Sequence, residues 1–284
     1  MLSTEKTTKQ QKNRKTYKPN NKKYRGRGKI NSRSREFVIL LANLRGITSK
    51  QISLEKVLTT LKPSVVAINE TQLSGNSKVS LRSYSTWSRN RSEQGGGGIA
   101  TAVRDQFRDS AVGVGEGKEK DEYLVTRIEC FSPALSIVNC YGEQRRLVKD
   151  EVDSRWSRLR TELESIRARG DFCLVAGDLN KLVGCDVLGV PGNDPEVSYG
   201  GKLLQAMLAS KNWYLVNGLG EGVVKGGSFT REDPASGKLF CLDIFVVSKE
   251  LRPFVSSMLI DSKRNLKIAR SVKVQGREEL NNQA

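Results

Sequence analysis

Short apolar, β-branched runs recur along the chain, and several end abruptly in an amide or a carboxylate. In order these ends are Asn43 in LLANLRG, Glu70 in VVAINET, Asp178 and Asn180 in LVAGDLN, and Asp243 in CLDIFVVS. A buried strand that ends in a carboxylate can aim that charge at a shared pocket. Several such strands can hold a hard divalent cation and a phosphate together. One fact opposes this reading: the chain contains no histidine.

Runs of this kind, separated by turn residues, predict strands over 36–42, 64–69, 98–103, 123–130, 135–141, 172–178, 213–217, 227–231, 239–247 and 257–261. Apolar residues at three- and four-residue steps predict helices over 150–168 (Val152, Trp156, Leu159, Leu163, Ile166), 201–211 and 52–61, the last stopping before Pro63. Strands outnumber helices and most links are short, which favours a layered α/β (α+β) fold with mixed sheets over a doubly wound parallel one. The Gly95–Gly98 run leads into a strand rather than a helix. It predicts a tight turn or a close backbone approach, not a phosphate cradle.

Charge is spread unevenly. Residues 1–35 hold 13 Lys/Arg against Glu5, a net +12 out of +17 for the whole chain. With few large apolar residues this segment cannot offset the entropy of ordering, and it reads as a disordered basic arm. The body runs from 36 to 262, and 263–284 reads as a basic C-terminal tail. The arm has no apolar signal core, and no apolar run is long enough to span a membrane. The five cysteines (Cys130, Cys140, Cys173, Cys185, Cys241) form no CxxC pair, and four lie in apolar strand-like runs. Free buried thiols, a reducing nuclear or cytoplasmic setting and no zinc site are expected.

Each candidate has a plainer reading. Asp178 and Asn180 share one face if the chain stays extended, and could orient a water and a phosphate oxygen; the alternative is a strand-end Asp–Asn turn. Glu70 is either a charge emerging into solvent or one held at a metal. Asp243 lies inside an apolar run and shares a face with Cys241 and Phe245, so a hydrogen bond or a cation is implied. Asn43 follows an apolar run, and Tyr141 ends LSIVNCY, where an ordinary strand-end aromatic would serve as well.

Taken in order, LANLRG, AINET, GGGGIATAV, IVNCYGEQ, VAGDLN, SFTRE and CLDIFVVS resemble the endonuclease/exonuclease/phosphatase superfamily. They are most similar to the apurinic/apyrimidinic-endonuclease-like nucleases of non-LTR retrotransposons. The resemblance implies a four-layered, two-sheet sandwich with flanking helices and a site at one sheet edge. It implies Mg²⁺ or Mn²⁺ held at Glu70, Asp178 and Asn180. Asp178 would orient or deprotonate the attacking water, and Asn180 would hold the scissile phosphate. Asn43 and Tyr141 would contact the reacting groups, and Asp243 would orient a histidine.

That histidine is missing. The family closes with a Ser/Thr-Asp-His motif on a terminal strand, whereas MLIDSKRNLKIARSVKVQGREELNNQA follows the last matching stretch. One alignment sets Asp261-Ser262 on Asp-His. The preferred one makes 263–277 a basic connector and leaves the last strand absent, with an exposed sheet edge and poor stability expected. Arg45 stands where repair-type relatives carry a metal-binding acid. The implied function is metal-dependent phosphodiester hydrolysis on DNA or RNA, of retroelement origin and impaired. The alternatives are a non-catalytic nucleic-acid-binding remnant and a phosphomonoesterase of the same superfamily.

Overall fold

The computed structural model describes residues 36–90, 97–116, 123–142, 148–181, 183–184, 197–220, 222–225, 229–232, 235, 237–260 and 270–275. The expected arm (1–35), Cys185 and Asp261-Ser262 lie outside them.

The apolar runs form strands β1 (Glu36–Asn43), β2 (Val65–Asn69), β3 (Tyr84–Arg89), β4 (Ile99–Arg104), β5 (Ala111–Glu116), β6 (Tyr123–Ile128), β7 (Leu135–Tyr141), β8 (Phe172–Asp178) and β9 (Trp213–Leu215). They continue as β10 (Val224–Lys225), β11 (Arg231–Glu232), β12 (Leu239–Phe240), β13 (Asp243–Ser248), β14 (Val255–Leu259) and β15 (Arg270–Gln275). Three helices accompany them among the described residues: α1 (Gln51–Leu61), α2 (Lys149–Ala168) and α3 (Tyr199–Ala209). Helix α2 has Asp150 and Glu151 in its first turn and Arg167 in its last, matching the helix dipole at both ends. The Ser198 side chain caps α3 by accepting from the Gly201 N–H at 3.1 Å.

One sheet has the order β10-β14-β15-β1-β2-β4-β3, the other β5-β6-β7-β8-β13-β9; β11 and β12 pair separately. Alternation sends Phe37, Ile39 and Leu41 of β1 to the same core as Ile137 of β7, Leu174 and Ala176 of β8, and Phe245 and Val247 of β13. On the outer face of the first sheet, Leu40, Val66, Ile68 and Ala102 pack with Leu54, Val57 and Leu58 of α1. On the outer face of the second, Val138, Cys173, Val175 and Val246 pack with Leu163 and Ile166 of α2 and Leu204 of α3. The result is the four-layered sandwich implied by the resemblance.

Four strands depart from the sequence reading. β3 and β5 are edge strands in which serines and glycines interrupt the apolar pattern, so neither was expected, and the two-residue β10 also lies outside the predicted runs. The fourth departure is a correction. Residues 270–275, read as part of a basic connector, form β15, antiparallel to both β1 and β14. Val272 and Val274 alternate with Lys273, a two-residue period hidden by the charge around it. The slot expected to be empty is filled, so the exposed edge is absent there and the stability expectation loses that ground.

Candidate functional site

The same alternation that fills the core delivers polar residues to one end of it. Asn43 continues the inward face of Ile39 and Leu41, Tyr141 that of Ile137, Asp178 that of Leu174 and Ala176, and Asp243 that of Phe245. Strand register then sets them in two rows. Asn43 is opposite Asn69, Asn69 opposite Ile99, and Ile99 opposite Arg89 in the first sheet. Tyr141, Asp178 and Asp243 are opposite one another in the second. Four residues singled out from sequence thus reach one edge because strands of matched phase end or begin there.

Side-chain bonds join the rows. Asn43 Nδ2 donates to Glu70 Oε1 at 2.9 Å and to Asp178 Oδ2 at 2.7 Å. The Tyr141 hydroxyl donates to the same Glu70 Oε1 at 3.1 Å. Glu70 and Asp178 are 6% and 5% exposed, so two nearly buried carboxylates share a single amide donor. Like charges this close disfavour each other unless a cation or a proton intervenes. Asn43 Oδ1 is buried with no hydrogen-bond partner. The residues therefore fit a divalent ion. Two carboxylates and an amide oxygen are hard donors, and Mg²⁺ is commonly held by one or two carboxylates with water completing the shell. Among the described residues no three acidic or cysteine side chains gather at metal spacing, so the site is no all-protein cage.

The backbone at this edge is strained. Glu70 has φ 53° and Asn180 φ 47°, in the left-handed region that only glycine enters freely. Such positions cost about 1–3 kcal/mol and persist where surrounding bonds over-determine them. Glu70 is fixed by its neighbours: its C=O accepts from the Gly46 N–H at 2.8 Å. Thr71 N–H donates to the Gly98 carbonyl at 3.0 Å. A Cβ at Gly98 would lie 2.5 Å from Thr71 Oγ1, which is the close approach that the glycine run predicts; Gly95 lies outside the described residues. Likewise a Cβ at Gly177 would stand 1.8 Å from the Cys140 carbonyl oxygen, so VAGDLN needs its glycine to bring Asp178 beside Tyr141.

Two expectations are corrected here. Asp178 and Asn180 do not share a face of extended chain, because the strand ends at Asp178. The left-handed turn instead directs the Asn180 N–H to Asp178 Oδ1 (3.0 Å) and its Nδ2 to the Gly142 carbonyl (2.5 Å). Cys241 does not share the face of Asp243: the run 239–247 breaks between β12 and β13, and Cys241 packs in the outer cluster. At the break, Thr230 Oγ1 accepts from the N–H groups of Leu242 (2.8 Å) and Asp243 (3.1 Å). Asn217 extends the ladder beyond β9, donating to the Asp243 carbonyl and accepting from the Phe245 N–H.

Sequence reading passed over Asn69 and Asn139, both fully buried and bonded to each other at 2.9 Å across the sheets. The signal was an amide interrupting an apolar run in VVAIN and again in LSIVNCY. Of the cysteines, Cys140, Cys173 and Cys241 are buried thiols, while the Cys130 thiol is exposed, against expectation. Burial pushes the Cys140 thiol up to about 12, so beside the site it is a neutral packing group. No helix among the described residues is long and apolar enough to cross a membrane.

No curated protein sequence matches the chain. Among solved structures it is similar to the AP endonuclease LMAP of Leishmania major, at 16% identity over 86% of this chain and 89% of that one (TM-score 0.64). It is also similar to the endonuclease domain of TRAS1, a telomere-specific non-LTR retrotransposon, at 15% identity over 85% and 99% (TM-score 0.61). A third is the 3' phosphatase NExo from Neisseria, bound to a product DNA hairpin, at 13% identity over 84% and 100% (TM-score 0.63). Identities this low speak for the fold alone. The model of the Endonuclease/Exonuclease/phosphatase family matches residues 40–264, most of the body and every candidate site residue, and the chain belongs to that family.

Proposed function

We propose that the chain is a metal-dependent phosphodiesterase, a DNA endonuclease of retroelement origin whose turnover is impaired. One observation carries this reading: Asn43 Nδ2 bridges Glu70 and Asp178 at the sheet edge, leaving Asn43 Oδ1 buried and unpartnered. Glu70 and Asp178 would hold Mg²⁺ or Mn²⁺, and the Asn43 amide oxygen would join them once the amide turns its Nδ2 away from the two carboxylates. When bound, the ion would neutralise charge on phosphate oxygens and lower the pKa of a water. Asp178 would orient or deprotonate the attacking water. The Tyr141 hydroxyl and the Asn180 amide would fix the phosphate, and Asn180 would turn from its present bond to the Gly142 carbonyl to do so.

Asp243 is buried beside Asp178, but the chain has no imidazole for it to orient. Loss of one well-placed proton or hydrogen-bond donor lowers such reactions by about 10²–10⁴-fold. The basic arm would supply affinity for DNA or RNA by releasing counterions, without reading sequence. A nuclear or cytoplasmic location suits that substrate.

The absent histidine favours one second reading, a nucleic-acid-binding remnant that keeps the fold without the chemistry. Nicking of plasmid DNA by the full chain separates the two. Slow Mg²⁺-dependent nicking that is lost in Glu70→Ala and Asp178→Ala is the expected result. Salt-sensitive DNA binding with no turnover, unchanged by those substitutions, would select the remnant. Phosphate release from inositol phosphates without nicking would select a phosphomonoesterase.

A further inference from the structure

We infer that Asn69 and Asn139 are positioning residues, a buried amide clasp that fixes how far Glu70 on one sheet stands from Asp178 on the other. The inference rests on the proposed function for its consequence in catalysis, but its geometry stands apart from it.

Asn69 Oδ1 accepts the Asp178 backbone N–H at 2.9 Å. Its Nδ2 donates to Asn139 Oδ1 at 2.9 Å and to the Cys140 carbonyl at 3.1 Å. Asn139 answers with its own Nδ2, which donates to the carbonyls of Ala100 at 2.8 Å and Ile68 at 3.3 Å. Both N–H groups of each amide are used, and together they tie β2 and β4 of one sheet to β7 and β8 of the other. Each end touches the site: Asn69 immediately precedes Glu70 and bonds the backbone of Asp178, while Asn139 and Cys140 lead into Tyr141.

The rest of the contact between the sheets is largely apolar, built from residues such as Ile39, Leu41, Ile137, Leu174 and Phe245. Apolar contact is non-directional and sets the spacing of sheets more firmly than their lateral register. A well-made hydrogen bond in the core adds little net stability, and apolar groups of matched shape stabilise about as well. Two fully buried amides are therefore a poor choice for stability alone and a good one for register. Register matters here, because Asn43 Nδ2 reaches carboxylates on both sheets at once.

The test uses the full chain with Asn69→Ala, Asn139→Ala and the milder Asn139→Ser, which keeps a hydroxyl donor in case truncation prevents folding. Arg127→Ala, at the far end of the second sheet, serves as a control that lowers stability away from the clasp. Well below each melting temperature, two quantities are read: the side-chain ¹⁵N–¹H signal of Asn43, assigned by its loss in Asn43→Ser, and Mn²⁺ affinity. The clasp variants should shift the Asn43 signal and weaken Mn²⁺ binding by about 10–100-fold, while Arg127→Ala changes neither. Folded clasp variants with an unchanged Asn43 signal would overturn the inference, as would an equal loss of affinity in Arg127→Ala. A wild-type chain that binds no Mn²⁺ would instead overturn the proposed function, and the Asn43 signal alone would then decide the clasp.

Discussion

Strand β8 carries an aspartate at each end, and the two are treated in opposite ways. Asp171, just before the strand, accepts from Arg127 Nε at 2.9 Å and Nη2 at 3.1 Å, from the Ser136 hydroxyl at 3.0 Å and from Arg169 Nε at 3.4 Å. Asp178, about 23 Å further along at the usual strand rise, accepts from two amide N–H groups, one of which it shares with Glu70. Burial alone would raise Asp171, but the Arg127 and Ser136 hydrogen bonds and the Arg127 charge outweigh it and hold the carboxyl below its ordinary value. One carboxylate is neutralised by the fold itself. The other shares the Asn43 amide donor with a second acid, Glu70, which sits on strained backbone.

The comparison can be broken most sharply through activity. Glu70→Ala and Asp178→Ala should each lower metal-dependent nicking by about 10³-fold or more, whereas Asp171→Asn, assayed well below its melting temperature, should change it by less than about threefold. Stability should respond the other way round. Arg127→Ala leaves Asp171 buried with a weakened set of partners. It should cost about 2–3 kcal/mol, read in thermal denaturation as a fall of about 4–12 °C. Asp178→Asn, by contrast, removes one of two crowded charges and should hold the melting temperature or raise it by up to about 1 kcal/mol in stability.

A smaller effect concerns acid. The folded-state pKa of Asp171 is depressed, so its contribution to stability is complete above the unfolded value near 3.9. It is lost as pH falls from there through the lower folded value. Asp171→Asn should flatten that acid limb in urea denaturation below about pH 4 and leave the slope at neutral pH alone. A variant with the same acid limb as wild type would show that another group sets it.

How much of this was legible from sequence follows the same divide between periodic and non-local features. Asn43, Tyr141, Asp178 and Asp243 were visible as polar residues at the end of or inside apolar runs, and matched phase carries them to one edge. Glu70 was visible as the acid closing VVAIN but reaches that edge through its left-handed turn. The turn at Asn180 was not, since a left-handed residue after a strand depends on what the Gly142 carbonyl and Asp178 offer it in three dimensions. Asn69 and Asn139 were hidden because one amide inside an apolar run looks the same whether it meets a partner or faces water. β15 was hidden by charge, Lys273 and its basic flanks masking the alternation of Val272 and Val274. Arg127, Ser136, Arg169 and Asp171 carry no common pattern in the chain and meet only when β6, β7 and β8 pair.

The most direct test of the whole account is the melting temperature of the full chain titrated with Mn²⁺. A ligand bound only by the folded state, at a hundred times its dissociation constant, adds about 2.7 kcal/mol. Wild type should therefore melt several degrees higher with the ion present, and Glu70→Gln and Asp178→Asn should not. An equal rise in all three proteins, or none in wild type, would contradict a divalent-ion site at the edge where Asn43, Glu70 and Asp178 meet.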